Sequence, residues 1–453
     1  MAEFTTTGQL NGFFYEVYDK IVDPIPESAK AVAKIPFKGG ALELGNKLHV
    51  NVIVSDEGGF THAAGGVGGT ASAGAFAVNA AVSFETQDAQ INGSQILLQS
   101  SVDYESAAKA SSSKKAFLEL VGRKLQNVVS SSKRRLESEM WHGQRGIGNI
   151  QSSAAAAGED VTVTLTADSF APFIWQGKKG HYVTVSTDVG SSGNGDYSVV
   201  TGIAVQTPGE FIIKSVNVSD SVRTVTLTGV TAGDAADLKT YVDAQGSGSV
   251  TLWWGGTIVP NSTFASVIFK SMVGINQIVA NTGTLMNIDA SLYDVWLGNT
   301  YAAGSAPLSF KKIMDCMALL ANRGVEGDML LWLSNRTWSN LATDQAALRR
   351  YGAEIREAKN GSKSIEFYHQ VGTVEMIGHG MVKYGEATFM EADKWKRIGA
   401  QDFSFKTPGL EEGRDIFWHD PSKAGFSYRY YGHQAVFCEM PSHQLLVTGI
   451  VNS

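Results

Sequence analysis

The sequence predicts an α+β chain with an all-β module inserted into it. Three observations lead there. From about Tyr104 to Trp141 a run without proline keeps apolar residues at helical spacing. Between about Val161 and Ser249, alternating β-branched segments follow one another between Gly, Asp, Asn and Ser turns. The remainder mixes strand-like and helix-like segments.

Residues 1–44 read as an arm lying on something else. Pro24, Pro26 and Pro36 interrupt regular structure there, which leaves one short helix over Gly12 to Ile21. Residues 45–104 read as a long hairpin. In KLHVNVIVS, Leu48, Val50, Val52 and Val54 alternate with His49, Asn51 and Ile53, the two-residue period of a strand. A Gly/Ala-rich stretch follows, and AVSFETQD and QINGSQILLQSSVDY are again extended. This segment has too few apolar residues for a core of its own, so it must lean on a neighbour, in this chain or another copy.

Residues 105–143 carry the long helix. Phe117, Val121, Leu125, Val128, Leu136 and Met140 draw one stripe, with Ser132 filling its gap. At 1.5 Å per residue the rod from Tyr104 to Trp141 would span roughly 50 Å. Gly143 is a natural C-terminal cap. Glu137 and Glu139 are two apart and point to different faces, so they make no paired acid/base site. Lys114, Lys115, Arg123, Lys124, Lys133, Arg134 and Arg135 lie largely off the stripe. Their plain reading is a solvated face with ordinary ion pairs, and the alternative is nonspecific contact with nucleic-acid phosphates.

The β-rich module is placed at 155–255, with joints at Ser152 to Gly158 and Gln245 to Ser249 and a hairpin tip at Gly190 to Asp196. Residues 262–400 are mixed. VIFKSMVGINQIVANTG is helix-like, and SFKKIMDCMALLANRG has Ser309 as N-cap and Gly324 as its stop. DMLLWLS is a buried strand running into the capped helix SNRTWSNLATDQAALRR, and TVEMIGHG, MVKYG and EATFME alternate as strands. HDP at His419 is a turn signal. Residues 401–453 are strand-rich, ending in QLLVTGIVN. There is no internal repeat.

The totals exclude several classes. The 453 residues carry 37 Lys and Arg against 44 Asp and Glu, a net charge of -7, unlike a strongly basic nucleic-acid binder. The two cysteines, Cys316 and Cys438, sit in apolar surroundings and read as buried thiols. The N-terminal residues lack the basic and apolar regions of a signal peptide, and no apolar run reaches membrane-spanning length. A product retained where it is made is expected, and sequons such as the one at Asn217 then carry no meaning.

Motifs for chemistry are weak. GVGGTA at Gly66 to Ala71 matches a loose dinucleotide pattern, but no strand directly precedes it and no helical period follows. No Lys follows those glycines, so it is not a P-loop. The nine His residues include no H-E-x-x-H and no zinc spacing, and no G-x-S-x-G occurs. No enzyme activity, cofactor or metal is expected.

Local stretches carry a family resemblance. FKGGALELGNKLHVNVIVS, QILLQSSVDYES, KKAFLELVGRKLQNVVSSSKRRLESEMWHG, GTLMNIDASLYDVWLGN and DMLLWLSNRTWSNL, in this order, resemble the major capsid proteins of tailed bacteriophages with the Hong Kong 97-like capsid fold, which encapsulins share. The resemblance leaves out about Val161 to Ser249. It implies an N-terminal arm (1–44), an E-loop (45–104), the spine helix of a peripheral domain (105–143), an axial domain with peripheral strands (262–400) and return strands of the peripheral domain (401–453).

The function it implies is structural. Pentamers and hexamers of this chain would close into an icosahedral virion shell around double-stranded DNA, assembled in the host cytoplasm. Scaffold, portal and cementing proteins are further partners of that class, and no membrane is involved. Phe60, His62, Phe76 and Phe84 become candidate assembly contacts, and the cations of the helix a candidate lumenal face. The inserted module would decorate the outside or stabilise capsomer contacts. Some relatives crosslink subunits through an E-loop Lys, but no Lys lies between Val54 and Ser101. Mature particles should therefore run as a single band on a denaturing gel, and a ladder of covalent oligomers would contradict this. The alternatives are an encapsulin-like compartment shell and an unrelated α/β enzyme with a β-sandwich module.

Overall fold

The computed structural model of the chain describes residues 29–39, 42–44, 47–62, 78–105, 114–154, 156–187, 200–201, 210–261, 266–342, 365–369, 372–406, 418–419 and 424–452. The helix expected at Gly12 to Ile21 and the hairpin tip at Gly190 to Asp196 lie outside these residues.

The long helix spans Lys114–His142, 29 residues, or about 43 Å. Its first expected turns, 106–113, also lie outside the described residues. The apolar stripe holds where its side chains are described. Leu125 is half-buried, and Val128, Ser132, Leu136 and Met140 are buried. Gly143 ends the helix for a reason other than the expected cap conformation. A Cβ there would come within 2.2 Å of the Met272 carbonyl oxygen. The left-handed residue that turns the chain is Gln144, with φ 59°. Gly274 meets Gly143 backbone to backbone, its N–H donating to Gly143 O at 3.0 Å.

The helix lies on a five-stranded sheet organised by the 14-residue strand Gly425–Cys438. That strand pairs antiparallel with Ser94–Asp103 from Gly425↔Asp103 to Gln434↔Ser94, and with Trp395–Ser404 from Tyr431↔Ser404 to Cys438↔Trp395. Val128 of the helix packs with Val102, Tyr428 and Tyr430 of the sheet. Phe37–Gly39 adds a parallel edge strand. Trp418–His419 adds a short antiparallel one, so His419 is in a strand and not a turn.

A second, six-stranded mixed sheet has the order Asn299–Ala306, Leu445–Ile450, Ala387–Met390, Met329–Leu333, Gly372–Gly378, Ile365–His369. Helix Phe310–Asn322 packs on it through Ile313, Cys316, Met317 and Leu320. Ser309 is its N-cap, and Gly324 follows its end with φ 89°. Both cysteines are buried. The two sheets correct the boundary drawn at 400. Trp395–Ser404 runs through it, and the C-terminal residues divide between the sheets. VIFKSMVGINQIVANTG is also corrected. It is a strand, Ser266–Phe269, paired with Ile258–Asn261, followed by the short helix Ile275–Val279.

The β-rich module is a closed six-stranded barrel, in order Phe211–Asn217, Thr224–Thr228, Asp160–Leu165, Gly148–Ser153, Val250–Trp254, Tyr182–Thr187. Alternate residues fill it, among them Ile150, Val163, Val185, Phe211, Leu227 and Leu252. Three expectations fail here. The barrel starts at Gly148, and the linker-like SSAAAAGED lies at its first turn, because Ile150 to Ser153 already pair with Val163 to Leu165. The QGSGS stretch leads straight into barrel strand Val250–Trp254. The module is also not all-β, since helix Ala232–Gln245 lies against it. Its capping box is legible in Thr231-x-x-Asp234. Thr231 Oγ1 accepts from Asp234 N at 3.3 Å, and Asp234 Oδ2 accepts from Thr231 N at 2.7 Å.

Nor is the barrel held by flexible joints. Trp254 Nε1 donates to Ser138 Oγ of the long helix at 3.0 Å. Tyr384 N donates to Phe170 O and Gly385 N to Asp168 O. The ring of Phe173 sits so close to Gly380 that a Cβ there would be 2.5 Å away. Barrel, helix end and hairpin root share one hydrophobic core. Deleting 159–249 removes four of the six barrel strands, those other than Gly148–Ser153 and Val250–Trp254. The expected result is aggregated protein with no cooperative thermal transition; soluble, folded chains would show the module to be dispensable.

Candidate functional site

The hairpin is fastened at its root and bare toward its end. Lys47–Ser55 and Glu85–Ile91 pair from Leu48↔Ile91 to Ser55↔Glu85. Leu48, Ala89 and Ile91 enter the core. His49 Nδ1 and Asp88 Oδ2 are 2.6 Å apart across the strands. A tight turn, with Met286 and Asn287 at φ 52° and 69°, offers Met286 O to Gln90 N at 2.9 Å. Tyr293 OH donates to Glu85 Oε1 at 2.6 Å, and this bond together with one from Gln87 holds the Glu85 carboxyl below its usual range.

Beyond these ties the apolar side chains face out. Phe60 is 76 % exposed, Val78 77 %, Ile53 63 %, Val82 55 % and Phe84 48 %. Their backbone is nevertheless shaped. Gly58 and Val82 bridge, and Asn79 Nδ2 donates to Phe60 O at 2.7 Å. Several large apolar groups exposed on one hairpin make it a candidate interaction surface. Of the four expected contacts, Phe60, His62 and Phe84 are exposed on this hairpin, and Phe76 lies outside the described residues. The expectation missed Ile53, Val78 and Val82. Ile53 was legible, because it occupies the polar phase of KLHVNVIVS.

The cations of the helix do not form one solvated face. Arg123 and Lys133 are exposed. Lys124 is half-buried and donates to Ser101 O at 3.1 Å; burial pulls its pKa down to about 8 against the attraction of Asp103. Arg134 is buried. Arg135 Nε donates to Glu139 Oε1 at 2.6 Å, and its guanidinium lies 4.8 Å from the Trp254 ring centroid. The reason is tertiary packing, with Trp254 of the barrel over Arg135 and the strand Ser94–Asp103 against Lys124, on a side of the helix that a stripe alone would leave wet. The side chains of Lys114 and Lys115 lie outside the described residues.

The end of the helix is buried, and several of its polar groups are bonded to distant elements. Glu137 Oε1 and Oε2 accept from Ala31 N and Val32 N, each at 2.8 Å, at the start of the short arm helix Lys30–Lys34. His379 Nδ1 accepts from Met381 N, which puts its ring proton on Nε2, 3.2 Å from Glu137 Oε1. His142 Nε2 donates to Met381 O at 2.7 Å. Trp141 meets Trp332 edge-on, with centroids 5.4 Å apart. Arg145, Lys383 and Asn276 surround the buried Glu386. These residues fix the arm, the helix and the six-stranded sheet to one another.

Among the described residues, no group of three or more His, Cys, Asp or Glu is placed to hold a metal ion. No described helix is long and apolar enough to cross a membrane.

No family model and no curated protein matches the sequence. Solved structures do. The capsid asymmetric unit of cyanophage A-1(L) aligns over 99% of both chains at 10% identity, with a TM-score of 0.46. The capsid structure of cyanophage P-SCSP1u covers 99% of this chain and 96% of its own at 7% identity, with a TM-score of 0.41. The SrpI encapsulin complex of Synechococcus elongatus covers 95% and 92% at 9% identity, with a TM-score of 0.37.

Proposed function

We propose that this chain is a major capsid protein. Its copies form the pentamers and hexamers of an icosahedral virion shell around double-stranded DNA, assembled in the host cytoplasm. The observation that carries this reading is the hairpin, whose described large apolar residues Ile53, Phe60, Val78, Val82 and Phe84 are exposed. A subunit built this way completes its burial in contact with other copies. The 29-residue helix bound to a long-stranded sheet supplies the stiffness that such a thin contact element needs. Arg123 and Lys133 are the cations best exposed for contact with packaged DNA.

The test is electron microscopy and light scattering of the purified chain, with Phe60→Ser, Val82→Ser and Phe84→Ser combined as the comparison. The expected result is closed shells or rings of five and six for the native chain. The triple variant should stay dispersed with a nearly unchanged thermal midpoint, since these side chains belong to no buried cluster among the described residues. A native chain that stays monomeric, alone and with a co-expressed scaffold, would sink the proposal. Particles holding nuclease-protected DNA support the virion reading, and particles holding a cargo enzyme support the encapsulin-like one.

A further inference from the structure

A groove of about 360 Å³ opens between the long helix, the strand Ser94–Asp103 and the barrel. Arg135, Glu139, Lys178, His181 and Lys270 line it, with Ile96, Leu97 and Leu98 as an apolar wall. Its charges do not balance. The one carboxylate, Glu139, is taken by Arg135. Lys178 is only 6 % exposed, yet its ammonium meets no carboxylate or other hydrogen-bond acceptor among the described residues. It lies 5.5 Å from the Trp254 ring centroid. Burial, then Arg134 and Arg135, bring its pKa down to about 7. His181 is held neutral, down to about 4, by burial and then by Lys178 and the two arginines. A second polar group is also left over. Ser132 Oγ, on the helix side of the groove, is buried without a hydrogen-bond partner among the described residues.

A buried cation without a counter-charge is costly, and so is a buried hydroxyl without a partner. One ligand answers both. We propose that this groove binds an oxyanion, a carboxylate or phosphate group, which Lys178 and Ser132 hold directly while Arg135 and Lys270 supply the surrounding positive field. The oxyanion has two sources, an acidic side chain of a second copy of this chain or free inorganic phosphate. Bound oxyanion restores the proton on Lys178 and removes its amine from reaction.

The test is acylation of the dispersed native chain by acetic anhydride at pH 7.5, read at Lys178 by peptide mass spectrometry. The exposed neighbour Lys179 serves as internal reference. If free phosphate is the ligand, added phosphate lowers labelling of Lys178 severalfold relative to Lys179, and chloride at equal ionic strength does not. If the ligand is an acidic side chain, phosphate leaves labelling unchanged and assembled particles protect Lys178. Equal labelling under all these conditions overturns the proposal. Should the buried amine fail to acylate at all, calorimetric titration with phosphate decides. Binding by the native chain that Lys178→Met abolishes supports the site, and binding equal in both overturns it; where neither binds phosphate, assembly that Lys178→Met impairs supports the acidic side chain, and assembly it leaves unchanged overturns the proposal. The phosphate arm needs no assembly, so failure of the capsid reading and failure of this site are separable.

Discussion

Glu137→Ala is expected to release the arm and cost about 3–5 kcal/mol, the usual effect of breaking a buried charged network from one side. Glu137 is fully buried and serves three donors, the N–H groups of Ala31 and Val32 and the ring of His379. The two amides open a short helix whose N-cap, Ala29, has no side-chain bond to offer. A carboxylate from 106 residues away therefore caps that helix end and meets the positive end of its dipole. Removing it takes the acceptor away from two backbone amides and from the His379 ring. Thermal unfolding should show a lower midpoint, and limited proteolysis should cut early near Lys30 and Lys34. Glu137→Gln, which keeps one acceptor, should fall between. An unchanged midpoint with a protease-resistant arm in Glu137→Ala would remove this carboxylate as the anchor.

Acid should destabilise the fold well above the carboxylate range. His142 is buried at the end of the helix, and its pKa is pushed down to about 3, first by burial and then by Lys383, with Glu386 opposing. An unfolded histidine titrates near ~6.5. Above that pH both states are neutral and the stabilisation is complete. As pH falls from about 6.5 to about 3, the unfolded chain takes up a proton that folded His142 refuses. Stability then drops by about 1.4 kcal/mol per pH unit from this group. His181, down to about 4, adds to the slope in the same direction. Glu386 adds a further loss at lower pH. Burial raises its pKa, but Arg145, Lys383 and His142 outweigh that, so its folded pKa is lowered and its contribution disappears as it protonates. His142→Gln keeps a donor for Met381 O without a titrating ring. Its thermal midpoint should vary less between pH 6.5 and 4.5 than that of the native chain, and an equally steep profile would contradict the assignment.

Sequence by itself determined the parts whose physics is local. The stripe from Leu125 to Met140 fixed the buried face of the helix, because period and hydrophobicity suffice for that. Ser309 and Gly324 bounded their helix through capping chemistry written in adjacent residues. The alternation in KLHVNVIVS gave the strand, and its scarcity of apolar neighbours indicated a hairpin that must lean on something else. The tertiary structure decided what depends on distant partners. Gly148–Ser153 became a barrel strand because Asp160–Leu165 and Val250–Trp254 flank it, although its last two residues already belong to the linker-like SSAAAAGED. Arg135 left the solvated face because Trp254, on a barrel strand formed by later residues, covers it. The sequence placed Glu137 only on a different helix face from Glu139, and its role depends on two amides over a hundred positions earlier and a histidine over two hundred later. Periodicity reports which face of an element is apolar, whereas a buried charge gains its meaning from the donors that folding brings to it.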